Sequence, residues 1–262
     1  RLTKETRAAV RAGFNIIEYY RVRESLLSLD EGVLESDLVD IMLAFSIPQS
    51  IRPRTVLPSD IELQMVGIDR ASDRYVELVR GRREIKKQAL NDWISELGVS
   101  SIIDGASEDA RKISKGRERA SGSDIDEGDL VMLVRICSDL AQDLSRLLRS
   151  LGRRKIAKRM ELFSRQLRYG VRLDLAGSNL MELELPENEE GPARLLSRAE
   201  TRILNDRGYK SISAVVRKDI DSSKRGLARD RFAKNSGLEL GFAKKLYKAA
   251  LSHIRAEIAK DD

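Results

Sequence analysis

Residues 129–151 read D-L-V-M-L-V-R-I-C-S-D-L-A-Q-D-L-S-R-L-L-R-S-L. Leu130, Leu133, Val134, Cys137, Leu140, Ala141, Leu144, Leu147, Leu148 and Leu151 recur at three- and four-residue steps. That period places all ten on one face of an α-helix, as a continuous stripe wide enough to be buried. The opposite stripe carries Met132, Arg135, Asp139, Gln142, Arg146 and Arg149. Asp126 or Asp129 supplies the start of this helix and Gly152 its end.

The rest of the chain is read outward from this helix. Arg153–Tyr169 predicts a second, very basic helix, with Arg153, Arg154, Lys155, Lys158, Arg159, Arg165 and Arg168 against Glu161 alone. Upstream, Gly98–Gly128 is rich in Gly, Ser, Asp and basic residues. It is expected to be a surface excursion with a short helix at Glu108–Arg119. Ser72–Leu97 predicts a long helix whose middle, Arg80–Lys87, is basic. Ser36 is expected to N-cap a helix through Phe45, before Pro48, Pro53 and Pro58 break regular structure. Thr3–Leu27 predicts one further helix, with Ala9, Gly13, Ile16, Ile17 and Tyr20 at helical spacing.

Downstream, a short helix leads to the acidic stretch Glu182–Glu190, which with Pro186, Gly191 and Pro192 reads as a linker. Residues 193–260 then carry 17 Lys and Arg against seven Asp and Glu, an excess of ten. The whole chain has a net charge of only +6. Positive charge is therefore gathered after the acidic stretch and in the helix before it, as phosphate binding requires. The expected fold class is all-α: a multi-helix bundle over residues 1–181, a linker over 182–192, and a small helix–hairpin–helix-like domain over 193–262. Charged residues at 34% and aromatics at 5% agree with helices rather than a β-rich fold.

Several chemistries find no footing. No Gly-x-x-x-x-Gly-Lys-Ser/Thr loop is present, so no ordinary ATP phosphate cradle is expected. The single histidine, His253, and the single cysteine, Cys137, are too few for a His- or Cys-based zinc site. His253 reads as a surface or packing residue and Cys137 as core. No strand–turn–helix elbow surrounds any serine. Asp124, Asp126, Glu127 and Asp129 cluster at a helix start, where they complement the helix dipole. No run of about 18 apolar residues exists, so no transmembrane helix is expected. One cysteine suits a reducing, cytoplasmic compartment. The chain starts at Arg1 with neither Met nor a signal-peptide pattern, as expected of a piece of a longer protein.

Leu195–Tyr209 reads L-L-S-R-A-E-T-R-I-L-N-D-R-G-Y. It is expected to form two short helices joined by a tight turn, the second ending at Gly208. In a helix–hairpin–helix element the hairpin and the next helix start offer backbone amides to a phosphate without reading bases. Ser197 stands where the usual hairpin glycine would be.

The order of segments resembles a known family. D-W-I-S-E at Asp92–Glu96 is followed by G-D-L at Gly128–Leu130. L-R-Y-G-V-R at Leu167–Arg172 runs into D-L-A-G-S-N-L-M-E-L, and S-R-A-E-T-R-I-L-N-D-R-G-Y closes the series. S-D-L-V-D-I-M-L-A-F-S-I-P at Ser36–Pro48 looks like the start of the same helical domain. This order is similar to the C-terminal region of the archaeal Hel/Hjm-type DNA helicases, Ski2-like members of superfamily 2. The helicase part of polymerase theta is more distantly similar. The resemblance implies motor domains and a winged helix elsewhere in the parent chain, with ATP and magnesium held there and no cofactor in this chain. It implies 3′–5′ unwinding of forked or branched DNA in replication-coupled repair. The bundle would be the "ratchet" domain, its long helix lying across the translocating strand, and the last domain a cap on the emerging strand.

Two positions depart from that pattern. The family's ratchet helix touches the strand with an Arg and a Trp, seven residues apart. Aligned on Gly128-Asp129-Leu130, those positions are Met132 and Asp139. Asp139 repels phosphate, and Met132 lacks the ring whose stacking is worth about 1–3 kcal/mol per base. The segment between Gly98 and Gly128 is also longer than in the family. The expected DNA contacts therefore fall on Arg135, Arg146 and Arg149 of the long helix, on Arg153, Arg154, Lys158, Arg165 and Arg168, and on Arg198 and Arg202 of the cap. The expected partners are single-stranded or forked DNA and the motor domains, with no membrane. A helical module that docks a protein or the motor without touching DNA is the alternative, as is an RNA-directed relative.

Overall fold

The computed structural model describes residues 3–12, 14, 16–30, 32–44, 73–114, 126–186, 193–216 and 225–261. It divides into two compact units, Arg1–Arg172 and Leu173–Asp262. The first holds α1 (Lys4–Arg11), α2 (Ile16–Ser28), α3 (Glu35–Ala44), α4 (Asp73–Ile94), α5 (Val99–Ser114), α6 (Glu127–Ser150) and α7 (Arg154–Tyr169). The second holds α8 (Leu173–Ala176), a 3₁₀ turn at Leu180–Glu182, β1 (Glu184–Pro186), β2 (Ala193–Leu195), α9 (Arg198–Asp206), α10 (Ile212–Val216), α11 (Arg225–Asn235) and α12 (Leu240–Asp261). The protein is mostly helical and all-α in class, as the sequence predicts.

Helix α6 is the spine of the first unit. Its start is a capping box: the Asp126 carboxylate accepts from the Asp129 amide at 2.8 Å, and Asp129 accepts from the Asp126 amide at 3.4 Å. Both satisfy amides that the first helical turn leaves open. Every apolar residue of the expected stripe is buried except Leu140 and Leu151, which pack half-buried against the same core. Leu144 and Leu148 are fully enclosed, and each such leucine contributes about 1.5–3 kcal/mol relative to exposure. Gly152, at φ +85°, then turns the chain where a Cβ would be strained.

After that turn α7 runs back along α6. Ser138 Oγ donates to the Ser164 carbonyl at 3.0 Å, and Ser164 Oγ returns a bond to the Ser138 carbonyl at 2.8 Å. Seven residues along α6, Ser145 Oγ donates to the Ala157 carbonyl at 2.8 Å. Small hydroxyls let the two helices approach closely and give each buried oxygen a partner. Gly170, at φ +61°, closes α7 in the left-handed conformation. Around this hairpin pack Tyr19, Leu26, Leu38, Met42, Leu90, Ile94 and Ile102 from α2 to α5.

Two segments of the family resemblance meet inside this unit. Trp93 Nε1 donates to the Leu167 carbonyl at 2.6 Å, and Glu96 Oε1 accepts from the Arg172 amide at 2.9 Å. Asp92–Glu96 and Leu167–Arg172 thus brace one another, and Glu96 holds a left-handed φ of +70° to do so.

The second unit has its own core, built from Leu180, Leu183, Leu185, Leu196, Leu204, Ile212, Val216, Phe232, Leu246 and Tyr247. Tyr209 meets the Phe232 ring edge-on at 5.0 Å between centroids. β1 and β2 pair antiparallel, with Glu184 opposite Leu195 and Pro186 opposite Ala193.

Several boundaries differ from expectation. Thr3–Leu27 is two helices; α1 ends at the cap residue Ala12, beside the poor helix former Gly13. Ser36 lies inside α3, where Asp37 reaches back to accept from the Leu34 amide at 3.3 Å. Gly98–Gly128 begins with a 16-residue helix that buries Ile102, Ala106 and Ala110 at four-residue spacing. The second unit starts at Leu173, so residues 173–181 belong to it, and Glu184–Pro186 of the acidic stretch forms β1, paired with β2. Leu195–Tyr209 holds a single helix, α9, preceded by a strand. Ser197 N-caps it in a capping box with Glu200. The expected features at residues 45–72, at 115–125 (Asp124 among them) and at 187–192 lie outside the described residues.

Candidate nucleic-acid interface

The outer stripe of α6 faces solvent as its periodicity requires. Met132, Arg135, Asp139, Arg146 and Arg149 are all exposed. They differ in what they hold. Arg146 pairs with Asp143 one turn earlier at 2.8 Å, and Arg149 reaches Glu161 on α7 at 2.6 Å. Arg135 has no acidic partner among the described residues. Asp143 sits above the usual carboxylate range because burial penalises its charge, with Arg146 acting in the other direction.

On α7, Arg154, Lys158 and Arg168 are exposed and likewise lack acidic partners among the described residues. Arg165 is half-buried and engaged within the fold. Arg153 departs most from expectation. Its guanidinium donates to the carbonyls of Leu26 at 3.0 Å, Leu27 at 2.7 Å, and Leu29. Those are orphan acceptors at the C-terminal end of α2, whose last turn has no basic residue of its own. Arg153 therefore ties α2 to the start of α7.

The hairpin register places Arg135 and Arg168 toward one end of the helix pair and Arg154 and Lys158 toward the other. With Ser138 opposite Ser164 and Ser145 opposite Ala157, Arg135 lies level with the Leu167–Arg168 end of α7. The Arg149–Glu161 bridge shows that the outer faces of the two helices adjoin. The result is a row of exposed cations on a stiff two-helix platform. Its charge pattern suits a polyanion.

In the second unit the expected contacts are largely internal. Arg202 pairs with Asp174 at 2.5 Å, which holds that carboxyl below its ordinary range. Arg198 is half-buried and engaged. The amides expected to cradle a phosphate are already bonded. Ile212 N donates to Asn179 Oδ1 at 2.9 Å, and Ala214 N donates to Ser211 Oγ at 3.1 Å. At the start of α12, Gly241 N and Phe242 N donate to the Glu239 carboxylate, each at 2.8 Å. These side chains take the place a phosphate would have at those helix starts.

Cys137 is buried and its thiol is pushed up to about 12, so it stays protonated at neutral pH. His253 is half-exposed, 3.3 Å from Glu257 on the same helix. Among the described residues no three His, Cys, Asp or Glu side chains gather as metal ligands, and no helix is long and apolar enough to cross a membrane.

Arg7 and Arg11, which the apolar periodicity of the first helix does not single out, line a groove with Arg146.

No protein-family model matches the chain, and no curated protein matches it by sequence.

Proposed function

We propose that this chain is an accessory nucleic-acid-binding region that grips single-stranded or forked DNA through its phosphates. The observation that carries the reading is the row Arg135, Arg154, Lys158 and Arg168 on the α6–α7 hairpin, exposed and without acidic partners among the described residues. Clustered cations on a rigid element supply sequence-independent affinity by releasing counterions from the phosphates. With Met132 and Asp139 at the ratchet positions, the grip works by charge rather than by stacking. The order of segments supports placing the region in an ATP-dependent 3′–5′ DNA helicase that acts on branched DNA inside the cell. The motor domains of such a parent chain would hold ATP and magnesium.

The test is binding of a fluorescent single-stranded oligonucleotide at low salt. Replacing Arg135, Arg154, Lys158 and Arg168 together by Ala weakens binding by more than about tenfold. Replacing Arg255 and Lys260, exposed on α12, changes it less than about twofold. Equal losses from both sets refute the assigned face.

One observation favours a second reading, in which the hairpin docks a protein or the motor. Val131 and Met132 are adjacent apolar side chains at the start of α6, 50% and 43% exposed. Undetectable DNA binding, with Met132→Asp abolishing association with a helicase motor domain, supports that reading instead.

A further inference from the structure

A groove between α1 and α6 adjoins the exposed outer stripe of α6 through Arg146. It opens about 450 Å³ to solvent and is lined by Arg7, Ala8, Arg11, Ala12, Arg146 and Ser150, all three arginines being exposed. That volume falls within the roughly 300–1,000 Å³ typical of small-molecule sites. Three exposed guanidinium groups line this one groove. Arg7 and Arg11 lie one turn apart on α1, where like charges repel. Arg11 gains from the C-terminal helix dipole, but Arg7, a turn earlier, does not.

The nearby carboxylates do not neutralise the set. Glu5, on the same helix, is turned to Arg23 at 2.9 Å. Asp143 engages Arg146 at 2.8 Å, and no acid among the described residues pairs with Arg7 or Arg11. The Ser150 hydroxyl donates to the Leu147 carbonyl at 2.7 Å and forms a neutral wall. Ala8 and Ala12 contribute only small side chains to the α1 side of the groove and leave room for a ligand between the arginines.

We propose that Arg7, Arg11 and Arg146 form a seat for a phosphate group. Guanidinium forks match phosphate oxygens two at a time, and three of them suit a dianion or a diphosphate better than a carboxylate. The seat uses none of the four cations assigned to strand binding and stands or falls separately from that reading. Its ligand is a phosphate carried either by a free diphosphate or nucleotide, or by the end of a nucleic-acid strand.

The experiment titrates the full chain with inorganic pyrophosphate by calorimetry in a phosphate-free buffer. The wild type binds one equivalent, and R7A/R11A loses about tenfold or more in affinity. D143N tightens binding about threefold, because it removes a competing carboxylate from Arg146. The fluorescence of Trp93, the only tryptophan, verifies that each variant stays folded. A second arm compares an oligonucleotide with and without a 5′-phosphate. A preference that R7A/R11A abolishes assigns the seat to strand ends; pyrophosphate binding without such a preference assigns it to free phosphates. The proposal is overturned if pyrophosphate does not bind, or if R7A/R11A titrates like the wild type. It is overturned equally if pyrophosphate binding is lost only when Arg135, Arg154, Lys158 and Arg168 are replaced; that outcome leaves the strand-binding reading standing.

Discussion

Adjacent arginines at the start of α7 are expected to fail in opposite ways when truncated. Arg153 donates three hydrogen bonds to carbonyls at the end of α2, while Arg154 points to solvent. A hydrogen bond from a charged donor contributes about 1.5–3 kcal/mol net when buried. These three share one guanidinium and end on carbonyls that water can partly reach, so their values do not add. Arg153→Ala is expected to cost the first unit about 3 kcal/mol. For a unit of this size that corresponds to a fall in melting temperature of roughly 6–12 °C. Arg154→Ala is expected to change stability by less than about 0.5 kcal/mol. Trp93 sits in the first unit against its core, so tryptophan fluorescence during urea unfolding follows this unit alone. Strand binding, measured well below the transition, should reverse the order: Arg154→Ala weakens it and Arg153→Ala leaves it within about twofold. If Arg153→Ala unfolds at the wild-type urea concentration and loses affinity as Arg154→Ala does, then Arg153 is a surface contact and the bracing role is wrong.

Other outcomes follow from the same structure. Arg202 holds the Asp174 carboxyl below its ordinary range, so their pairing stabilises the second unit above the unfolded carboxylate value and is lost as pH falls through the folded one. Arg202→Ala should therefore speed hydrogen exchange in α9 at neutral pH, with the difference from wild type vanishing in strong acid; a gap that persists in acid excludes the ion pair as its cause. Gly170→Ala forces an L side chain into the left-handed conformation and should cost about 1–2 kcal/mol in urea unfolding, whereas no cost would mean that α7 ends differently. Glu161→Gln releases Arg149 from its 2.6 Å bridge and should tighten strand binding about twofold; weaker binding would show that the bridge orders the face.

Periodicity made the spine legible. The ten-residue stripe of α6 and the basic outer face of α7 follow from spacing alone, because burial and helix geometry act on every turn. Where small or polar residues were buried, the same logic failed. Ser138, Ser145 and Ser164 lie inside the helix pair although their chemistry reads as surface. The helix Val99–Ser114 hid behind a Gly-, Ser- and Asp-rich composition, since its buried face is made chiefly of Ile102, Ala106 and Ala110. Roles set by distant chain segments left no local trace. Arg153 finds its carbonyls more than a hundred residues earlier, and Arg202 is neutralised by Asp174, which precedes the acidic stretch. At the expected phosphate cradle in the second unit, Asn179 and Ser211 already accept from the amides of the helix after the hairpin, and no pattern within the hairpin announces them.

In the proposed function, Arg135, Arg154, Lys158 and Arg168 on the α6–α7 hairpin grip a strand by charge. The most direct measurement is the affinity of the full chain for single-stranded DNA as a function of salt. Four phosphates neutralised on a single strand give a slope of log K against log salt near −3, from about −0.7 per contact. A slope near −3 that falls toward zero when Arg135, Arg154, Lys158 and Arg168 are replaced is the expected result. Binding that is absent at low salt, or that ignores salt altogether, rules out a grip by charge.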